Sequence, residues 1–366
     1  MRTERFDVVV VGSGIAGLTA AALAAEQGER VELVSVGAGA FVLGAGGVEE
    51  REVKALAQEP GFAPAMEFFL TLAEAAGVAL AGDTRDTLLL PTLLGSFQPM
   101  QLAPRTVANA ALEDGTATRI VGLHGLSGFD AGFLAERFQS AAAARGLHAK
   151  YEAATIEIPS PLGMPVTTLR VAQAFDRDAG FRTRLAAALR AAKGAAARML
   201  LPAVLGLDSS DELRAEFIEQ VGCIVGELPT LPPSIPGLRL AHRLQAHLRA
   251  RGVTFLEGYP VERIEMANGM CTGLQIAAPG RGFRVAGQSV VLATSTGLRA
   301  LLPGADALDA QRRPLDANGT PIAENLFAAC RPGEHISELR GLAGRILAGH
   351  SAAVSAMAER RAYAAG

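Results

Sequence analysis

The most constraining stretch of this chain lies near its start. Val8-Val-Val-Val11 is a β-branched run that favours a strand, and Gly12-Ser13-Gly14-Ile15-Ala16-Gly17 follows it at once. An Ala- and Leu-rich stretch then runs to Gln27, Gly28 interrupts it, and Val31-Glu-Leu-Val-Ser-Val36 is β-rich again. Strand, turn, helix, turn and strand over residues 5–36 leave few folds open, because parallel strands need a crossover and a helix supplies it. In that setting each glycine of the G-x-G-x-x-G pattern has a task. Gly12 permits the tight turn, Gly14 lets the backbone approach a phosphate, and Gly17 lets the helix pack closely on the strand. The helix predicted over Ile15–Gln27 points its amino-terminal amides at that phosphate. A dinucleotide site is the expectation.

The same region invites a different reading, since Val8 to Ala25 carries no charge. A spanning helix needs about 20 apolar residues, and a signal peptide would be cleaved near Ala22-Leu-Ala-Ala25. Three early glycines and the β-branched start oppose both, so a cytoplasmic location is expected.

Composition narrows the function classes further. With 366 residues, 49% hydrophobic content and a net charge of −3, the chain can bury a sizeable core and offers no electrostatic footprint for nucleic acid. Cys223, Cys271 and Cys330 are odd in number and far apart, which fits neither a disulfide framework nor a zinc or iron–sulfur cluster. His242 and His247, the closest histidine pair, are five residues apart and do not share a helical face. No metal site is expected.

The acidic residue that ordinarily ends the second strand and bonds the adenosine ribose falls near position 35, where Ser35 stands. Glu32 alternates onto the opposite face. A serine makes an NAD-type site less fitting; it leaves FAD possible and favours FMN, which has no adenosine ribose. The nucleotide fold is predicted to resume near residue 250. Gly252–Gly258 and Val261–Ile264 read as strands, Asn268-Gly269 as a hairpin turn, and Gly282–Ala286 leads into Ser289-Val-Val-Leu-Ala-Thr294. A short strand within Pro321–Ala329 precedes a terminal helix from about Leu342 to Ala362. The expected architecture is an α/β, Rossmann-like FAD/NAD(P)-binding flavoprotein fold. Its nucleotide domain is discontinuous, over 1–50 and 241–366, around an inserted α/β domain at 51–240 that contacts substrate or a sister protein.

The middle of the chain carries Phe41-Val-Leu-Gly44-Ala-Gly46-Gly47, Val121-Gly-Leu-His124-Gly-Leu-Ser-Gly-Phe129-Asp130, Leu201-Pro-Ala-Val-Leu-Gly-Leu-Asp208 and Leu228-Pro-Thr-Leu-Pro-Pro-Ser-Ile-Pro-Gly-Leu-Arg239-Leu240. In this order they resemble the B subunit of the anaerobic glycerol-3-phosphate dehydrogenase. The L-P-T-L-P-P-S segment is the most specific part. The resemblance implies a flavin-bearing subunit of a complex that oxidises sn-glycerol 3-phosphate to dihydroxyacetone phosphate. Its implied partners are the FAD-bearing A subunit, which shares the complex, and the iron–sulfur C subunit, which passes electrons to quinone at the inner face of the membrane. The chain departs from the family at Cys330-Arg331, where a glycine and an acid are usual, and after Gly297. Two alternatives stay open: a non-catalytic assembly or electron-relay subunit with a weakened flavin site, and a stand-alone flavin oxidoreductase.

The residues expected at the flavin are Gly12, Ser13, Gly14, Ile15, Ala16, Gly17 and Ser35, then Gly44, Gly46 and Gly47, and finally Val261, Thr294, Gly297 and Arg331. In the helix after Pro233, Ser234 is an expected N-cap and Leu240, Leu244 and Leu248 a buried stripe. Arg239 and Arg243 lie beside the stripe, either as a solvated face or as a fork for a phosphate ester. His124, in a glycine-flanked turn, is the candidate base for a hydroxyl proton, and its alternative is local hydrogen bonding. Asp130 is expected to cap the helix starting near Ala131.

Overall fold

The computed structural model describes residues 5–83, 86–158, 165–280, 282–294, 298–330 and 341–365. Among them the chain divides into two compact units. One comprises Met1–Ala40, Lys54–Leu72 and Leu244–Gly366, the other Phe41–Val53 and Ala73–Arg243.

The first unit opens with the strand Arg5–Ser13, the helix Ile15–Glu26 and the strand Val31–Ala38, in the order the sequence predicts. Val8, Val9 and Val10 are buried, which is why a continuous β-branched run suits a strand covered on both faces. The parallel sheet runs Thr254–Glu257, Val31–Ala38, Arg5–Ser13, Phe283–Leu292, with Leu326–Ala328 also on the last of these. The ten-residue strand Phe283–Leu292 serves two pairings. Its first residues pair antiparallel with Met270–Ile276, as Leu274 with Val285. From Ala286 to Leu292 it pairs parallel with Arg5 to Val11. Asn268 and Gly269 join Val261–Ala267 to Met270–Ile276 with φ of 52° and 71°, the two positive values that a tight hairpin loop demands. The terminal helix Leu342–Ala365 lies on Ile15–Glu26 so closely that a Cβ on Gly349 would stand 2.1 Å from the Ala16 carbonyl oxygen. Among the described residues no helix is long and apolar enough to cross a membrane.

The second unit is also α/β. Its parallel sheet has the order Ile224–Leu228, Arg198–Pro202, Ala117–Leu123, Lys150–Ile156. The chain winds one way from Ala117–Leu123 and then the other from Arg198–Pro202, a doubly wound arrangement. Helices Ala131–Ala143, Thr168–Arg177, Ala179–Ala192 and Asp211–Val221 connect these strands. Phe175, Phe181 and Phe217 are buried in its core, with Phe175 and Phe217 edge to face at 5.1 Å. A small antiparallel sheet gathers Val48–Glu49, Leu80–Gly82 and Leu88–Pro91 around Phe97–Pro104.

Two local expectations divide here. Asp130 does cap its helix, accepting the Phe133 N–H at 2.9 Å. Ser234 precedes the helix Ile235–Ala250, but its buried hydroxyl has no partner among the described residues and so does not cap the helix. The Leu240, Leu244 and Leu248 stripe is fully buried, as its i, i+4, i+8 spacing requires.

Candidate functional site

The carboxyl ends of the first unit's strands enclose a cleft of about 550 Å³. Its floor is the glycine turn, and the geometry there admits no larger residues. Gly12 has a φ of 115°, and a Cβ on it would meet the Ala293 carbonyl oxygen at 2.2 Å. A Cβ on Gly17 would meet the Gly12 carbonyl oxygen at 1.8 Å. Gly14 differs: the nearest neighbour of its would-be Cβ is Gly39 Cα at 3.9 Å, so the backbone there is open to a ligand. The Ser13 hydroxyl donates to the Gly37 carbonyl at 2.6 Å and ties the turn to the end of Val31–Ala38. The helix Ile15–Glu26 begins at Gly14 with neither a side-chain cap nor an acidic residue in its first turn. Its amino-terminal amides therefore keep their partial positive charge for something else.

Gly12, Ser13, Gly14, Ile15, Ala16, Ser35, Val261 and Thr294 all line this cleft. Gly17 lies beneath it as a packing position. Ser35 is 5% exposed, and among the described residues neither its hydroxyl nor the buried Thr294 hydroxyl has a hydrogen-bond partner. A buried polar group left unpaired costs about 1–3 kcal/mol. Two such hydroxyls on one cleft, beside uncapped amides, fit a polar ligand with hydroxyl and phosphate groups. A flavin nucleotide has both. Tyr259 and Arg345 also line the cleft, and sequence reasoning missed them. Gly297 and Arg331 lie outside the described residues.

The other expected residues are elsewhere. Gly44, Gly46 and Gly47 belong to the second unit and are not among the lining residues. A Cβ on Gly47 would stand 2.6 Å from the Leu102 carbonyl oxygen, and one on Gly46 would touch Leu240 and Pro104. Close packing within that unit accounts for Gly47, and packing with a φ of 77° for Gly46, whereas a Cβ on Gly44 would meet only the Phe41 carbonyl oxygen at 3.8 Å. His124 borders an open depression of the second unit, with Nδ1 2.9 Å from the Glu157 carboxylate and its side chain 69% exposed. That carboxylate can fix the ring's tautomer, but nothing among the described residues encloses it.

Arg239 corrects both readings of its helix. It is neither solvated nor open to a ligand, being 2% exposed and paired at 2.7 Å with Glu227, which is fully buried. Its Nε donates to the Gly206 carbonyl at 2.7 Å and its Nη2 to the second Glu227 oxygen at 3.0 Å. A guanidinium so committed has no fork left for phosphate oxygens. Burial pushes the Glu227 carboxyl up, but the charge and hydrogen bonds of Arg239, with those of Thr106 and the Leu205 amide, outweigh it and hold the group down at about 2. Arg243 is likewise held inward, donating to the Ala76 and Asp208 carbonyls. No cluster of metal-binding side chains occurs among the described residues.

Residues 7–60 and 236–310 match the FAD binding domain family. The anaerobic glycerol-3-phosphate dehydrogenase B subunit of Pectobacterium carotovorum subsp. carotovorum (strain PC1) is 29% identical over 285 residues, 69% of this chain and 66% of that protein. The probable anaerobic glycerol-3-phosphate dehydrogenase B subunit of Halobacterium salinarum (strain ATCC 29341 / DSM 671 / R1) is 28% identical over 321 residues, 79% of this chain and 73% of that one.

This chain is a relative of those B subunits. The resemblance read from its sequence holds, and it spans about two thirds of the length of the curated relatives it matches. Of the two flavins expected, the family match points to FAD. Among solved structures, Thermovibrio ammonificans THI4 aligns over 98% of this chain and 90% of its own at 10% identity, with a TM-score of 0.39, too loose to carry an argument.

Proposed function

We propose that this chain is the flavin-bearing B subunit of an anaerobic glycerol-3-phosphate dehydrogenase complex. The observation that carries the reading is the cleft over the glycine turn, where two buried hydroxyls and an uncapped helix end face a space of nucleotide size. The names of the relatives supply the substrate class and the existence of sister subunits.

In this reading Gly12 to Ala16 cradle the cofactor's phosphates through backbone amides, and Ser35 bonds a ribose in place of the usual acid. Thr294 supplies a second hydroxyl on the facing strand end. Bound flavin supplies a two-electron acceptor. Oxidising sn-glycerol 3-phosphate to dihydroxyacetone phosphate removes a hydride from the secondary carbon and a proton from its hydroxyl. His124 is the proposed proton acceptor: with Nδ1 held by Glu157, its Nε2 is left to accept. In the complex the FAD-bearing A subunit and the iron–sulfur C subunit would hold the acceptors that take the two electrons on toward quinone. Association with these partners holds the chain at the cytoplasmic face of the membrane.

A second reading is favoured by Arg239. Its commitment to Glu227 removes the one phosphate fork expected in the middle segment, so this chain would relay electrons while a sister subunit handles the substrate. One experiment separates the two. The purified chain is examined by absorption spectroscopy, its released flavin is identified by chromatography, and glycerol 3-phosphate is added under anaerobic conditions. Flavin bleached by substrate alone supports the first reading. Flavin reduced only with the partner subunits supports the relay. A protein that holds no flavin and takes up none sinks both.

A further inference from the structure

We propose that Tyr259 is the aromatic seat for the adenine ring of bound FAD, and that this seat makes the cleft select FAD over FMN. The inference rests on the flavin reading of the cleft and adds to it the residue that decides between the two flavins.

Position comes first. With phosphates over Gly12–Ala16 and a ribose at Ser35, the adenine of FAD lies one glycosidic bond past Ser35, so the residues beside Ser35 receive it. The Ser35 carbonyl accepts the Gly258 N–H at 2.9 Å and the Tyr259 N–H at 3.2 Å. Two main-chain bonds to one carbonyl fix Tyr259 at the side of Ser35, just past the strand Thr254–Glu257. Tyr259, Pro260 and Val36 all line the cleft, and Val36, the next residue after Ser35, is 70% exposed. Apolar surface thus borders the Ser35 hydroxyl, and a flat apolar ring is the group that covers such surface best.

Chemistry comes second. The Tyr259 ring is half-buried and meets the Phe283 ring edge to face, with centroids 5.8 Å apart and planes at 73°. Such a contact sets the orientation of the tyrosine ring and takes at most one of its two faces. A purine stacked on the other face also covers Val36. Ser35 gives the seat its purpose. A carboxylate at that position would bond the ribose strongly, and a serine bonds it more weakly. Stacking on Tyr259 restores the hold on the adenosine half through contact area in place of charge. FMN ends at its single phosphate, carries no adenine and gains nothing from Tyr259.

The test is calorimetric titration of flavin-free protein with FAD, FMN and ADP, for wild type, Tyr259→Ala and Tyr259→Phe. Circular dichroism checks folding. Wild type should bind FAD more tightly than FMN. Tyr259→Ala should lose about tenfold in affinity for FAD and for ADP, within the range that one aromatic–base stack supplies, and should bind FMN as wild type does. Tyr259→Phe keeps the ring and should keep its FAD affinity within about twofold. Should Tyr259→Ala fail to fold, Tyr259→Leu carries the test, with the same expected fall in the ratio of FAD to FMN affinity. An unaltered ratio in Tyr259→Ala or Tyr259→Leu overturns the proposal. That holds whether both affinities stay or both fall together, since a common loss marks a residue that only shapes the cleft. Wild type that binds FMN as tightly as FAD overturns it as well. Wild type that takes up neither flavin removes the flavin reading itself, a result seen before any variant is compared.

Discussion

After the strand Arg5–Ser13 the chain turns through Gly12 and Gly14 into the helix Ile15–Glu26. After Ala117–Leu123 it turns through Gly125 and Gly128, both at positive φ, into Ala131–Ala143. The two units thus use the same strand–glycine–helix device on a parallel sheet, yet they finish it in opposite ways. The first leaves its helix end uncapped and two buried hydroxyls unpaired. The second supplies its own acceptors. Asp130 caps the helix, Asp176 accepts the amides of Leu207, Asp208 and Ser209, and Glu227 accepts that of Leu205 while pairing Arg239. Buried polar groups in folded proteins are satisfied almost everywhere. Where the unpaired groups line an open cleft, as Ser35 and Thr294 do, a ligand is the natural donor or acceptor. A glycine turn alone does not mark a site, and neither does one unpaired hydroxyl such as that of Ser234; the two together on an open cleft do.

The comparison is most easily broken at Glu227. Replacing it by Ala strands a buried guanidinium, and the expected loss is about 3–5 kcal/mol, read by urea unfolding. Changing both partners to apolar residues, Glu227→Leu with Arg239→Met, should recover most of it. A single-variant loss below about 1 kcal/mol would mean that the pair is not the internal filling described. The same bond can be read by titration. The Glu227 carboxyl lies at about 2 in the folded chain and near 4.3 when unfolded. Its contribution is therefore complete above about pH 4.3 and is lost as the pH falls through the folded value. Near-ultraviolet circular dichroism of the wild type should show acid loosening in that window, and the doubly apolar variant should not share that component.

On the first unit, Gly17→Ala would push a Cβ into the Gly12 carbonyl. We expect a loss of about 1–3 kcal/mol in stability, together with FAD retention too weak to survive gel filtration. Smaller effects sharpen the contrast further. Ser35→Ala and Thr294→Val should each weaken FAD binding by about 1 kcal/mol, roughly fivefold. The flavin-free protein should become no less stable, since each change removes a buried hydroxyl that lacks a partner. Calorimetry with and without FAD separates these signs. Destabilised flavin-free variants would show that the hydroxyls serve the fold.

Much of the first unit was legible because its determinants are local. Gly12, Gly14 and Gly17 act within six residues, and Asn268-Gly269 specifies its own turn. Ser35 could be placed by counting along the second strand. Arg239 was not legible, because helical periodicity sets it beside the leucine stripe but says nothing of Glu227 on a strand twelve residues earlier. Gly44, Gly46 and Gly47 looked like a flavin approach, and only the three-dimensional neighbourhood of Leu102 and Pro104 shows why glycine is needed at 46 and 47. Arg345 was missed for a related reason. The Gly349 contact that places it joins two helices from opposite ends of the chain, and no spacing in the sequence reports it.

The strand Phe283–Leu292, shared between parallel and antiparallel partners, also sets a timetable for biosynthesis. Arg5–Ser13 pairs on one edge with the nearby Val31–Ala38, but on the other edge Arg5 to Val11 find their neighbours only at Ala286 to Leu292. At a synthesis rate of about 5–20 residues per second, the first strand waits on the order of tens of seconds for that partner to leave the ribosome. Most of the second unit, from Ala73 to Arg243, is complete by then. The valine run is thus made long before the strand that covers its second edge, so a nascent-chain chaperone has more to protect on this strand than on any strand of the second unit's parallel sheet.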